Sequence, residues 1–348
     1  MKPYKWTIIG AGAAGIAAAA KLLDLKISGE TILWIDPDFQ GGDLGKLWRN
    51  VSSNTTVARF LEYFNYYDAF QWPTIADNLA LSNLPINETC QLTHPADALV
   101  AASKVLQQKV ATAYDWVDTL TRNEDGSWTI QTKKTSYESE NIILAQGALP
   151  KTLDFPNSPE ILAFEEAIDA TRLKTHFDKN HVYGVFGASH SAIIILENLI
   201  NLGARKVINF YKHPCKYAVD MGDWILYDDT GLKGKAADWA KKNIDGAIPK
   251  NLQRVTSSNA NIETYLPQCD RVIYATGFQR RDSIKIQGAD IHHYDNTTGH
   301  MAPGLYGYGI AYPEKYLTPI NEIEYHVGLS KFAKYIDKAP HNWLTKLE

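Results

Sequence analysis

The sequence predicts an α/β protein made of two parallel-sheet units, and three observations predict it. One glycine-turn signal occurs twice, as Gly10-Ala11-Gly12-Ala13-Ala14-Gly15 and as Gly187-Ala188-Ser189-His190-Ser191-Ala192. Each copy follows a short apolar run, Thr7-Ile8-Ile9 or Tyr183-Gly184-Val185-Phe186, and leads into an apolar helix pattern. Each unit later closes with a buried strand ending in glycine, residues 141–147 in the first and 270–277 in the second. Strand, glycine turn and helix in this order make a Rossmann-like, three-layer unit. The turn brings backbone N–H groups and the positive end of a helix up to a pyrophosphate. Two such turns imply two dinucleotides, and a protein holding two dinucleotides passes electrons between them.

The first unit has every part of the dinucleotide fingerprint. Residues 7–9 form the strand and residues 16–25 the helix. Gly10, Gly12 and Gly15 allow the tight turn, the approach to pyrophosphate and the helix–strand packing, while Ala13 and Ala14 open the helix. Residues 31–36 are a buried strand ending in Asp36, with Pro37 next, about 20 residues beyond the turn, where a carboxylate meets an adenosine ribose. A carboxylate there accepts from both ribose hydroxyls and repels a 2′-phosphate, so this site suits FAD or NAD rather than NADP.

Residues 40–45 read as a flexible turn. The polar run from Trp48 to Thr56, which holds Ser53 and Asn54, is predicted to be a loop lining a site, not a strand or a helix core. The aromatic residues Phe60, Tyr63, Phe64, Tyr66, Tyr67, Phe70 and Trp72 either pack against the domain or contribute to a substrate pocket. Residues 92–110 have helical periodicity, with Pro95 in the first turn. Glu124-Asp125-Gly126-Ser127 marks a hairpin within residues 114–137. Ala145, Gln146 and Gly147 end the next buried strand, and residues 150–159 read as a linker.

The second unit starts with the strand 182–186, and its helix 191–202 is closed by Gly203. The strand 205–211 ends in Tyr211-Lys212-His213, with Lys216 close by. Cations replace the acid of the first unit, which is what a 2′-phosphate requires, so Lys212 is the candidate for a preference for NADP over NAD. Ala275-Thr276-Gly277-Phe278 ends its closing strand. Leu305 to Ile310, including Gly309, is a short glycine-bounded strand. A last helix is predicted from Pro319 to about Asp337, with Thr318 as N-cap.

Composition narrows the function. The 348 residues suffice for two domains, and the chain is 45% hydrophobic, 21% charged and carries a net charge of −4. That balance offers no basic footprint for nucleic acid, no polybasic stretch and no internal membrane span. Lys2 and Lys5 ahead of an apolar stretch imitate a signal peptide, but the glycine turn explains the same residues, so the expected location is cytoplasmic. Cys90, Cys215 and Cys269 form no C-x-x-C pair, which argues against a redox dithiol. No zinc-type cluster is present, and His292-His293 reads as a surface pair, so no metal is expected.

These motifs together resemble the flavoproteins with two dinucleotide-binding domains: disulfide reductases, flavin-containing monooxygenases and amine N-hydroxylases. The Gly-x-Ser-x-Ser-Ala turn and the Ala275-Thr276-Gly277-Phe278 form are more similar to the monooxygenase and N-hydroxylase branch. The resemblance implies two Rossmann-like domains, the second inserted in the first. Residues 1–150 and 278–348 would form the FAD domain, and 160–277 the NAD(P) domain. It places the isoalloxazine between the Trp48 to Asn54 segment and the second domain, with Ser53 and Asn54 as catalytic candidates. It also implies that the last helix points its first amides, including that of Ile320, at the flavin. There are departures: Ser189 stands at the second glycine, Gln146 at the Thr of the first Ala-Thr-Gly, and Gly309-Ile310 where the family has Gly-Asp. The expected activity is an FAD enzyme taking hydride from NADPH or NADH, monooxygenase-like toward a small molecule. The alternatives are a plain reductase and a redox sensor that holds FAD without turnover. Substrate and oligomeric state stay open.

Overall fold

The computed structural model describes residues 3–291 and 294–339, so the reading of His292-His293 lies outside the described residues. Two parallel sheets dominate. In the first, strands 111–113, Ile32–Ile35, Tyr4–Ile9, Ser136–Leu144 and Leu305–Gly307 run side by side in parallel. Ile8 pairs with Trp34 on one side and Ile143 on the other, and all three are buried. Near-continuous apolar runs such as Thr7-Ile8-Ile9 are what a strand covered on both faces requires. The antiparallel hairpin Val117–Arg122 and Trp128–Thr132 extends this sheet.

The second sheet repeats the order, with strands Leu252–Thr256, Lys206–Tyr211, Val182–Phe186, Arg271–Tyr274 and Glu160–Ile161, all parallel. The chain passes between the sheets through two short antiparallel strands, Ala148–Pro150 and Phe278–Arg280.

Each glycine turn feeds a buried helix. Ala13–Asp24 buries Ala17 to Ala20, and these small side chains share one core cluster with Leu99, Ala102 and Leu106 of the helix Thr93–Gln107. His190–Asn201 buries Ile193, Ile195, Leu196 and Leu199 against the second sheet. Each fully buried aliphatic side chain contributes about 1.5–3 kcal/mol of transfer free energy. The aromatic run is mostly core: Phe60, Tyr63, Phe64, Tyr67, Phe70 and Trp72 are buried together. No helix among the described residues is long and apolar enough to cross a membrane.

Three local expectations are corrected. Residues 40–45 are not simply a flexible turn, because Gly42–Lys46 is a short helix. The polar run 48–56 is not wholly loop: Ser52–Thr56 is a strand paired with Thr89–Gln91. Its five consecutive polar residues border a cavity, so they need no apolar face. The last helix is Leu329–Lys338 rather than one starting at Pro319. Glu314–Leu317 and Ile323–His326 form a hairpin with Leu317 opposite Ile323. Thr318 closes the turn by accepting the Glu322 N–H at 3.0 Å on its hydroxyl and the Asn321 N–H at 2.9 Å on its carbonyl. Thr-Pro suits a helix start and a reverse turn equally well. Here the strand pairing decides, and Ile320 sits 48% exposed in the turn.

Candidate functional site

At the first turn the glycines divide the work. A Cβ on Gly10 would lie 2.4 Å from the Ala145 carbonyl oxygen, and one on Gly15 would lie 1.9 Å from that of Gly10. These two positions close the turn onto the sheet. Gly12 instead faces a cavity of about 300 Å³, and its Cβ would meet nothing nearer than Gly42 Cα at 3.8 Å. No side chain caps the helix that starts at Ala13, and its first turn holds no acid. Amides left without a protein acceptor beside an open cradle fit the pyrophosphate of a dinucleotide.

Gly10, Gly12, Ala13, Ala14, Asp36, Pro37, Trp48, Ala145, Gln146, Gly147 and Gly309 all line this cavity, while Gly15 packs beneath it. Asp36 is more committed than its spacing implied. It accepts the N–H groups of Ala11 at 2.7 Å, Asp38 at 3.0 Å and Phe39 at 2.7 Å. Of about four acceptor positions on a carboxylate, one is left for a ribose hydroxyl. Burial pushes its carboxyl upward despite those amides. Gln146 donates from Nε2 to the Arg281 carbonyl at 2.6 Å. Arg281 also pairs with Asp43 at 2.9 Å, and both line the cavity. Neither belongs to a motif, and the two are far apart in sequence, so spacing did not reveal them.

The second turn borders a larger cavity of about 1240 Å³. Ser189, His190, Ser191 and Gly277 line it, as do Trp48, Ser53 and Asn54. Gly187 shapes the turn from behind, where a Cβ would lie 2.4 Å from the Ala275 carbonyl oxygen, and Ala188 links it to Ser189. The helix from His190 also lacks a side-chain cap and a first-turn acid. Burial lowers the His190 imidazole below its ordinary range, so it is neutral at pH 7. Lys212 is exposed at the strand end, outside both cavities. Thr276 spends its hydroxyl on the Lys151 carbonyl at 2.9 Å, tying the crossing strands together.

The two catalytic candidates part company. The Ser53 hydroxyl donates to the Thr55 carbonyl at 2.6 Å and accepts the Cys90 N–H at 3.2 Å. It is buried and its proton is committed to the strand pair. Asn54 accepts from the Thr55 hydroxyl at 3.1 Å on Oδ1, leaving its amide protons without a partner among the described residues. Ile320 lines neither cavity, and the helix that motivated it begins at Leu329.

Leu44, Trp48, Phe278, Ile310, Val327, Gly328 and Leu329 line both cavities. At this shared wall Trp48 meets Phe164 edge-on at 5.5 Å and Phe278 at 6.4 Å. Part of the large cavity's lining beside this wall is charged. Lys331 pairs with Asp228 at 2.6 Å and Asp229 at 2.7 Å, and Asp229 accepts the Val327 N–H at 3.2 Å. Burial opposes ionisation of Asp228, yet Lys331 and Lys233 outweigh it and hold its carboxyl down to about 2.

A family model described as pyridine nucleotide-disulphide oxidoreductase matches residues 7–301. Monooxygenase AgnR1 of Paecilomyces divaricatus is 31% identical, over 97% of each chain. Among solved structures, the ornithine N-hydroxylase of Kutzneria sp. 744 superposes with a TM-score of 0.68 at 14% identity, over 100% of both chains. A flavin-containing monooxygenase from Stenotrophomonas maltophilia gives 0.66 at 14%, again over 100% of both. The bacillithiol disulfide reductase of Staphylococcus aureus gives 0.65 at 15%, also over 100% of both. At such identities these structures speak to the fold.

Proposed function

The chain belongs to the pyridine nucleotide-disulphide oxidoreductase family and is an FAD-dependent oxidoreductase, and from that premise we propose that it takes hydride from NADPH and acts on a small molecule as a monooxygenase. The observation that carries this reading is the wall common to the two cavities. Each glycine turn borders one cavity, so groups held at the two turns would meet at the wall formed by Trp48, Phe278 and Ile310. When bound, the flavin supplies the hydride acceptor and the centre that reacts with oxygen.

The protein's own part is holding and sheltering. The free amides after Gly12 take the pyrophosphate, and Asp36 offers its last acceptor position to the ribose. The amides after Ser189 do the same for the nicotinamide nucleotide. Trp48, Phe164 and Phe278 give the meeting point apolar faces, and Asn54 presents two N–H donors to the substrate side. The three cysteines are unpaired, with Cys90 and Cys215 half-buried and Cys269 buried, which leaves the electrons no dithiol to pass through. The name of the AgnR1 relative agrees with oxygenation.

The test is spectroscopic. Purified protein should be yellow, and NADPH should bleach it anaerobically. Admission of air with a turnover substrate should restore the colour with less peroxide released than NADPH consumed. Full release of peroxide with every candidate substrate would leave a plain reductase or oxidase. No bleaching by NADPH or NADH would end the reading that a nicotinamide nucleotide supplies the hydride.

A further inference from the structure

Two imidazoles line the large cavity, those of His190 and His326. In the hairpin of Glu314–Leu317 and Ile323–His326, Glu314 stands opposite His326 and Tyr316 opposite Glu324. Side chains alternate along a strand, so these four share one face, and all four line the cavity. The His326 ring stacks on that of Tyr316, with centroids 4.6 Å apart and planes at 26°. Its Nδ1 donates to Glu314 Oε2 at 3.3 Å, and Lys338 donates to Oε1 of the same carboxylate at 2.6 Å. Burial opposes ionisation of Glu314, yet these two donors hold its carboxyl below the usual range.

A carboxylate that accepts from Nδ1 fixes the tautomer and leaves Nε2 as an acceptor when the ring is neutral. Nε2 makes no hydrogen bond among the described residues, since Asp229 Oδ2 lies 4.0 Å away. That carboxylate oxygen is buried and has no hydrogen-bond partner either. The other charges nearby satisfy one another. Lys331 and Lys338 bind Asp229 and Glu314, Asp228 is held by Lys233 and Lys331, and Glu324 accepts the Thr230 hydroxyl at 3.3 Å. His326 directly precedes Val327, Gly328 and Leu329, which line both cavities, so the imidazole borders the shared wall. A base fixed at one nitrogen and open at the other is arranged to take a proton. Imidazole and phenol ordinarily ionise near about pH 6.5 and 10, close enough to share a proton through one hydrogen bond, whereas an alkyl alcohol holds its proton far more tightly. Phe60, Tyr66 and Trp224 also line this cavity and offer flat faces to a ring.

We propose that His326, oriented by Glu314, is the catalytic base for a phenolic substrate held in the large cavity. The inference rests on the reading of the chain as an NADPH-dependent monooxygenase of small molecules. The phenol O–H bond breaks, its proton passes to Nε2, and the electron pair stays on the oxygen. Delocalised into the ring, that pair makes the ortho and para carbons electron-rich for oxygen transfer. The proton returns to the oxygen of the product. Glu314 touches the imidazole and not the substrate, so it is a positioning residue.

The experiment is titration of the flavin-loaded protein with 7-hydroxycoumarin and with 7-methoxycoumarin, in which the acidic hydroxyl is blocked. The absorption band of the first probe also reports whether it is bound as phenol or phenolate. Wild-type protein should bind the hydroxyl probe about tenfold tighter, the value of one hydrogen bond. The bound probe should half-ionise about one pH unit below the free probe, a tenfold preference for the phenolate. His326→Gln should remove both effects and leave the methoxy probe within about threefold of wild type. Glu314→Gln can still accept from Nδ1, so it should keep the hydroxyl probe within about threefold and lose most of the pH displacement. Anaerobic flavin reduction by NADPH without substrate should be unchanged in both variants. Wild-type protein that shows no preference for the hydroxyl probe, or a His326→Gln variant that keeps it, overturns the inference. Equal loss of both probes in His326→Gln would make the residue structural and also overturns it. A hydroxyl preference that depends on His326, in protein that NADPH does not bleach, would uphold the base and sink the hydride reading alone.

Discussion

His190 donates from Nε2 to the carbonyl oxygen of Ser52 at 3.1 Å, joining the second glycine turn to the strand Ser52–Thr56, and both residues line the large cavity. Two neighbouring contacts act in the same sense. Asn50 Nδ2 donates to Asp169 Oδ2 at 3.0 Å, and Arg172 Nη2 to the Lys46 carbonyl at 3.2 Å. Val51, between them, is buried in the hydrophobic cluster of the second sheet. The segment from Lys46 to Ser52 thus bridges the two units, since Arg49 bonds Thr93 and Asp97 of the first unit and Ser52 pairs with Gln91.

Because burial holds the His190 imidazole neutral, protonating it opposes the folded state. Its contribution is complete above about pH 6.5, the unfolded value, and is lost as pH falls from there through the lowered folded value. His190→Gln should therefore show a smaller drop in urea midpoint between pH 7.5 and pH 5.5 than wild type. Identical drops would mean that His190 takes up its proton equally in the folded and unfolded states.

Gly12→Val should give folded but colourless protein. Gly12 has φ −79°, which any residue adopts, and only Gly42 Cα stands within 4 Å of a Cβ there. The added side chain projects into the cradle and not into the core. Wild-type flavin absorbance in the purified variant would remove the first turn from the cofactor site.

Ser53→Ala and Asn54→Ala should separate stability from chemistry. Ser53→Ala loses two hydrogen bonds within a buried strand pair and should cost about 1–3 kcal/mol in urea unfolding, with peroxide release unchanged. Asn54→Ala should leave the unfolding midpoint within about 0.5 kcal/mol and raise the share of NADPH electrons lost to peroxide. A reversed pattern would restore Ser53 as the donor to the reacting centre.

Arg281→Gln should loosen flavin retention. Arg281 and Asp43 close one side of the small cavity, and Gln146 is anchored to the Arg281 carbonyl. The Kd for FAD, read by fluorescence on reconstituting apoprotein, should rise about three- to tenfold. Asp43→Asn should match it, since each variant breaks the same pair. An unchanged Kd in both would reduce the pair to a surface contact.

Local features were legible because each is complete within a few residues. The turns at Gly10 and Gly187, their helices and the buried strands around Ile8 and Val185 follow from glycine conformation and apolar runs. The Glu124–Ser127 hairpin and the Gly203 cap are equally local. Where one local pattern serves two structures, tertiary pairing chose. Thr318-Pro319 reads as a helix start, yet Leu317 opposite Ile323 makes it a hairpin turn. Ser53 reads as a cavity donor, yet the Cys90 N–H and Thr55 carbonyl claim it.

By itself the sequence determined an α/β chain with two glycine turns between strand and helix, an acid after the first and cations after the second. Those properties rest on short-range sterics and on the period of apolar residues. Only the tertiary structure decided that Asp43 meets Arg281 and that His190 reaches Ser52. Such contacts join residues on separate elements, and their partners are set by how sheets and helices stack. No local spacing encodes them, because the side chains that meet share a surface and not a period.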